Sequence, residues 1–266
     1  NNPTQPGGIH YLSLYDNKIL RSYRAHTETV TDISMCPVDD CFLSSSTDRT
    51  VRLWTLRQAA PLAKLDLPAS ATEGTPHVAY DSTGLVFGVT AATAGRTGHM
   101  IHLYDARKYT AGAFAEMSLA QSSLEDYLRG KGLGVDVVSS WSRAEWTSLK
   151  FNTSGKQMLV TTTAAAGVCL MLDGFDGSVT QVFNTTPEGG VLPSSARHAA
   201  GACFSPDDRF VVGGGGDDGT IHCWDAKTGR LLKTLEGHAG RVGCVAFNPK
   251  LGLLASACTN TALWIW

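Results

Sequence analysis

His26, Ser44 and Asp48 put an imidazole, a hydroxyl and a carboxylate within one short stretch. These are the groups of a nucleophilic hydrolase, in which the histidine takes the serine proton and the carboxylate orients the ring. That chemistry needs its serine on a sharp, exposed strand-to-helix turn. Ser44 instead lies inside Phe42-Leu43-Ser44-Ser45-Ser46, with no nucleophile-elbow sequence around it. Trp54 closes the stretch and adds an indole N–H, which completes a set of donors and acceptors that satisfy one another when buried. His26, Ser44, Asp48 and Trp54 are therefore read as a structural tetrad.

Other chemistry-bearing patterns reduce to turn chemistry. Gly214 to Gly219 matches the glycine spacing of a dinucleotide-binding loop, but Thr220 to Trp224 reads as a strand where that loop needs a helix. Asp218 lies six residues before Trp224, as Asp48 does before Trp54, so Asp218 and Trp224 are assigned to a further tetrad. Asp39/Asp40 and Asp207/Asp208 recur in equivalent turns, which argues against a glycosidase pair. His198 only approximates a tetrad position. His77, His99, His102 and His222 have no second ligand at metal spacing, and the seven cysteines include no CxxC pair. No catalytic residue, metal or cofactor is assigned.

The elements that must hold the tetrad are short strands. Val30, Ile33 and Met35 mark one, Phe42 to Ser46 a second and Val51 to Trp54 a third, with a turn at Pro37–Asp40 and a hairpin at Thr47–Thr50. Leu62 to Leu65 supplies an outer strand, which gives one blade of a propeller. The register returns near the other end. His238 to Trp266 spans the same 28 positions as His26 to Trp54, with Ser256 in the slot of Ser44 and Asn260 in that of Asp48. Weaker units run over about 77–105, 146–173 and 202–225, with Tyr104, Leu172 and Trp224 in the tryptophan slot, and Tyr15-Asp16 ends an incomplete unit. Residues 117–145 break the rhythm and read as a partly disordered loop insertion with room for one short helix.

Composition bounds the rest. Hydrophobic residues make up 43% and charged residues 17% of 266 positions, which suits one well-buried domain over 1–266. A net charge of −2 argues against unaided nucleic-acid binding, and no apolar run is long enough for a membrane span. The odd number of scattered cysteines points to a reducing compartment. Loops before first strands and between second and third strands carry Arg24, Glu28, Arg49, Asp217, Glu236 and Arg241, a candidate partner-binding face suited to acidic or phosphorylated peptides.

Longer motifs add a resemblance. Tyr11-Leu12-Ser13-Leu14-Tyr15-Asp16-Asn17-Lys18, Met35 to Asp40, Asp48 to Trp54, Glu145 to Phe151, Phe247 to Lys250 and Ala255 to Asn260 are similar to the Swd-two-type WD-repeat subunits of the COMPASS histone methyltransferase complex. The resemblance covers residues 9–266. It implies a nuclear, non-catalytic, seven-bladed β-propeller of which roughly the first blade and a half precede residue 1. It also implies a scaffold for the SET-domain enzyme that methylates histone-three lysine-four, with docking to the phosphorylated RNA polymerase II tail. The alternatives are a subunit of protein phosphatase one or of cleavage and polyadenylation complexes, and, as a generic WD-repeat role, a ubiquitin-ligase substrate receptor. The insertions at 91–98 and 117–145 depart from the family.

Overall fold

The computed structural model describes residues 7–68, 73–93, 95, 97–142, 144–164, 167–184, 201–214 and 219–266. Its chain divides into two compact units, Asn1–Ser118 and Leu119–Trp266. Both are built from antiparallel sheets made of sequence-adjacent strands. In the first unit β1 (Gly8–Ser13) pairs with β2 (Lys18–Arg24). A four-stranded sheet follows, from β3 (Val30–Met35), β4 (Cys41–Ser46), β5 (Thr50–Thr55) and β6 (Ala63–Asp66). The next contains β7 (Glu73–Tyr80), β8 (Val86–Ala92), β9 (Gly98–Asp105) and β10 (Ala115–Ala120).

The second unit holds α1 (Gln121–Gly130) and α2 (Val135–Ser142). Its first sheet is β11 (Trp146–Phe151), β12 (Gln157–Thr162), β13 (Gly167–Asp173) and β14 (Val179–Asn184). Its second is β15 (Ala202–Phe204), β16 (Phe210–Gly214), β17 (Ile221–Asp225) and β18 (Leu231–Leu235). Three strands make the last, β19 (Cys244–Phe247), β20 (Leu253–Ala257) and β21 (Thr261–Ile265). The class is all-β, with small antiparallel sheets of the kind that form propeller blades.

Central strands explain why alternation is weak in this sequence. β4 is buried on both faces: Phe42 packs with Ile9, Tyr23 and Trp54, while Leu43 joins Val51, Val78, Phe87, Val89 and Tyr104. A strand covered on both sides reads as a continuous apolar or small-residue run. Aromatic pairs lock one strand to the next. Phe42 stacks on Trp54 with centroids 6.0 Å apart, and Phe87 stacks on Tyr104 at 5.0 Å. Tyr23 meets both Phe42 and Trp54 edge-on.

Two expectations are corrected. β1 stops at Ser13, and Tyr15 sits fully exposed in the following turn, where Asn17 takes φ 52°, so Tyr15 fills no core slot. The stretch 117–145 is not a partly disordered loop. β10 forms the outer strand of its sheet, and two helices follow. Leu124 and Leu128, four residues apart, face inward on α1 with Val138 and Trp141, three apart, on α2; all four are buried. Tyr127 Oη donates to the Thr180 carbonyl of β14 at 2.9 Å and ties α1 to that strand.

Leu128 is fully buried, so Leu128→Ala removes most of the apolar anchor of α1. The expected loss is about 2–5 kcal/mol of stability. Faster amide exchange concentrated in α1 and α2 supports this packing, whereas unchanged exchange there contradicts it.

Candidate functional site

His26 precedes β3, Ser44 lies on β4, Asp48 in the β4–β5 hairpin and Trp54 on β5. Ser44 opposes Arg52, and Trp54 opposes Phe42, which places the hydroxyl one pleat from the indole on the same face. Trp54 Nε1–H donates to Ser44 Oγ at 2.8 Å, and Ser44 Oγ–H donates to His26 Nε2 at 2.7 Å. His26 Nδ1–H donates to Asp48 Oδ2 at 2.9 Å. This direction assigns a neutral imidazole protonated on Nδ1, because Asp48 has no proton to give. Asp48 also accepts Thr27 N–H at 3.0 Å, Thr50 N–H at 3.0 Å and Thr50 Oγ1–H at 2.6 Å.

The electrostatics fit that assignment. Burial pushes the His26 pKa below 6.5, against the pull of Asp48 toward the charged form. Burial alone raises the Asp48 carboxyl, but the hydrogen bonds from Thr50, His26 and Thr27 outweigh it and bring it down to about 2. Ser44 has no exposed surface, and its hydroxyl is occupied on both sides by His26 and Trp54. No substrate carbonyl reaches it. The arrangement fastens the hairpin and the preceding segment to the sheet.

The last sheet repeats this network with one correction. His238 Nε2 accepts from Ser256 Oγ–H at 2.7 Å, and His238 Nδ1–H donates to Asn260 Oδ1 at 2.8 Å. The indole donor is Trp264, whose Nε1–H reaches Ser256 Oγ at 2.7 Å, and not Trp266. Ala257 pairs with Thr261, whereas Ser45 pairs with Val51, so the later hairpin is two residues shorter. Two positions on, Trp266 shares the face of Trp264, which is why counting from His238 selected it. Trp266 packs against Phe247 at 4.9 Å and Phe210 at 5.6 Å instead.

Cys258, whose sequence pattern reads as a strand position but which lies in the β20–β21 hairpin, also touches His238 Nδ1 at 3.2 Å. Asn260 N–H on its sulfur, opposed by slight desolvation and helped by Thr259 and His238, lowers its thiol pKa to about 7. Thr50 and Trp264 were missed as well. Their only sequence signals were a hydroxyl two residues after Asp48 and a second tryptophan within the final strand.

The remaining candidates divide. Trp224 is buried beside His222 and Phe183, while Asp217, Asp218 and His198 lie outside the described residues. Arg24, Glu28 and Arg49 are exposed in the first unit. The Thr47 N–H to Thr29 carbonyl bond, 3.0 Å, sets the hairpin of Arg49 beside the segment of Glu28. Glu236 is exposed and Arg241 half-buried in the second unit. The paired carboxylates serve turns: Asp207 accepts from Ser205 Oγ–H, and Asp208 accepts the Thr153 and Ser154 N–H groups at 2.7 and 2.9 Å. Among the described residues, no cluster of three or more His, Cys, Asp or Glu side chains is placed to hold a metal ion.

Comparison with known proteins matches the WD domain, G-beta repeat model to residues 17–55, 194–225 and 229–266. The chain is 38% identical to WD repeat-containing protein 82 of Drosophila melanogaster, over 97% of this chain and 69% of that protein. It is 34% identical to Protein ANTHESIS POMOTING FACTOR 1 of Arabidopsis thaliana, over 97% of this chain and 66% of that protein. It is 29% identical to COMPASS component SWD2 of Saccharomyces cerevisiae, over 97% of this chain and 71% of that protein. The chain thus spans about two thirds of the length of these curated relatives.

Two outcomes test the site. The folded His26 resists protonation, so its contribution is fully present above pH 6.5 and is lost as pH falls below that value. The Asp48 contribution is present above 3.8 and is lost as pH falls toward about 2. Urea midpoints of the native protein should fall between pH 7 and 5 more steeply than those of His26→Gln; parallel curves refute the assignment. For the second network, Trp264→Phe removes the indole donor to Ser256 Oγ together with part of the packed ring and should cost about 1–3 kcal/mol. Trp266→Phe keeps its ring contacts and should stay within about 1 kcal/mol. Reversed sensitivities in thermal unfolding would restore Trp266 to the slot.

Proposed function

We infer function from one premise: the chain belongs to the family of WD-repeat proteins that includes WD repeat-containing protein 82 and the COMPASS component SWD2. On that premise we assign it the role of a non-catalytic subunit of a COMPASS-type nuclear chromatin complex. The observation that carries this reading is similarity along 97% of the chain to relatives that include a named COMPASS component. The occupied, inaccessible Ser44 adds support, because the Ser44-His26-Asp48 constellation is spent on holding strands.

The mechanism proposed is docking. Rigid sheets fix their connecting loops, and exposed loop residues meet partner proteins, which suits a surface with few mobile groups at its base. Arg24, Glu28 and Arg49 are assigned to such contact on the first unit, with Glu236 and Arg241 on loops of the second. A SET-domain methyltransferase is the structural partner proposed, and an acidic or phosphorylated peptide of the RNA polymerase II tail is proposed for the arginines. Neither role requires a cofactor.

Affinity purification of the full-length protein from nuclear extract, followed by mass spectrometry, tests the reading. Recovery of a SET-domain methyltransferase with other propeller subunits supports it. Recovery of a phosphatase with termination factors, or of a ligase scaffold, in place of the methyltransferase overturns it. The double variant Arg24→Glu/Arg49→Glu should lose peptide-dependent partners severalfold, while folding stability stays within about 0.5 kcal/mol per substitution. Undiminished recovery removes these arginines from the interface.

A further inference from the structure

Each described four-residue turn between a first and second strand closes the same way. The residue directly after the first strand donates its N–H to the carbonyl five residues on: Cys36 to Cys41 at 2.9 Å, Asp81 to Val86 at 2.9 Å, Asn152 to Gln157 at 3.0 Å, Ser205 to Phe210 at 2.9 Å and Asn248 to Leu253 at 2.9 Å. In four of these turns the first residue is polar and its side chain stitches the turn. Asp81 Oδ1 accepts Val86 N–H at 3.0 Å, Asn152 Oδ1 accepts Gln157 N–H at 3.1 Å and Ser205 Oγ accepts Phe210 N–H at 3.0 Å. Asn248 Oδ1 takes the N–H groups of Lys250 and Leu251. The turn between β3 and β4 has Cys36 at that position and a second cysteine, Cys41, at the facing one. A thiol is a poor substitute for those acceptors.

We propose that Cys36 and Cys41 are a modification site: a thiol pair that a small-molecule disulfide such as glutathione disulfide converts reversibly into a disulfide across the β3–β4 turn. Geometry carries the proposal. The side chain at the first position is aimed at the residue five on, as the three bonds above show. In the sheet of β11 to β14 the two facing side chains meet, Asn152 Nδ2 donating to Gln157 Oε1 at 3.3 Å. Cys36 and Cys41 lie one step beyond the Met35–Phe42 pair of the β3–β4 ladder, and residues opposed across antiparallel strands project from one face with Cα atoms about 4.5–5.5 Å apart, inside the disulfide range of about 4.4–6.8 Å. Both thiols are free and half-buried. Cys41 packs against the cluster of Leu43, Phe87 and Tyr104. Cys36 lies under Gly84, where an added Cβ would stand 3.0 Å from its sulfur.

The exchange balances in two steps. The Cys36 thiolate attacks one sulfur of glutathione disulfide, whose S–S bond breaks and releases one glutathione thiolate. Cys41 loses its proton to solvent and attacks the Cys36 sulfur, which breaks the mixed disulfide and releases the second glutathione. The two cysteines are oxidised by two electrons and glutathione disulfide is reduced. Burial pushes the Cys41 thiol up, which keeps it mostly protonated and makes the second, intramolecular step the slower one.

Reduced protein is incubated with glutathione disulfide, quenched in acid, denatured, treated with N-ethylmaleimide and digested with trypsin. One tryptic peptide, Ala25 to Arg49, holds both cysteines and no other. The expected product is that peptide, lighter by two hydrogen atoms and free of maleimide, with the remaining cysteines alkylated. The oxidised protein should also have a higher urea midpoint than the reduced one. Cys36→Asn supplies the stitch that Asn152 makes, so it should fold as the native protein does. Its Cys41 should carry maleimide or glutathione and its midpoint should ignore the oxidant. A native peptide bearing two maleimides or separate glutathiones, or an unchanged or lowered midpoint on oxidation, overturns the pair.

Discussion

An indole N–H, a hydroxyl, an imidazole and a carboxylate, passed from Trp54 to Ser44 to His26 to Asp48, are the interaction on which the first unit depends. Each of these groups is costly to bury alone, and each here has its partner. The chain ties the segment before β3, the strand β4, the β4–β5 hairpin and the strand β5 to one another through side chains, beside the backbone bonds of the ladder. It thereby fixes where the exposed loops beside it begin. The docking role we propose rests on that fixing, since loops ordered from beneath lose less freedom when a partner binds.

The same principle works at the other edge of the sheets. Turn residues such as Asp81, Asn152 and Ser205 satisfy the N–H of the strand that follows, and Asp208 reaches the Thr153 and Ser154 amides of the neighbouring turn. Polar side chains thus act twice, within a turn and between turns. The apolar clusters between sheets then pack onto frames whose ends are already held. Where a polar stitch is replaced, as at Cys36, the frame is open to chemistry that its neighbours do not offer.

Much of this was legible because strand period and turn chemistry are local. The units read over 146–173 and 202–225 contain β11 to β13 and β15 to β17. The misreadings share a cause, too. Trp266 was selected by its distance from His238, but hairpin length is set by backbone geometry that spacing does not encode, and strand alternation lets a slip of two residues keep the same face. Tyr15-Asp16 was read as closing a strand in the tryptophan slot, although β1 already ends at Ser13. α1 and α2 were read as a loop with a single helix because each is too short to be helical by propensity. Their order comes from Leu124, Leu128, Val138 and Trp141 packing together, a tertiary fact that a pair spaced by four and a pair spaced by three only hint at.

A double-mutant cycle on Ser44→Ala and Trp54→Phe, read from urea unfolding of the full-length protein, tests the central claim most directly. If the buried chain holds the blade, each single change breaks the bond between the two, although Ser44 keeps His26 when Trp54 is replaced. The double variant then loses less than the two single losses added together, by about 1 kcal/mol or more. Losses that add within about 0.3–0.5 kcal/mol would mean that serine and tryptophan act independently, and the network would not be what fixes the loops.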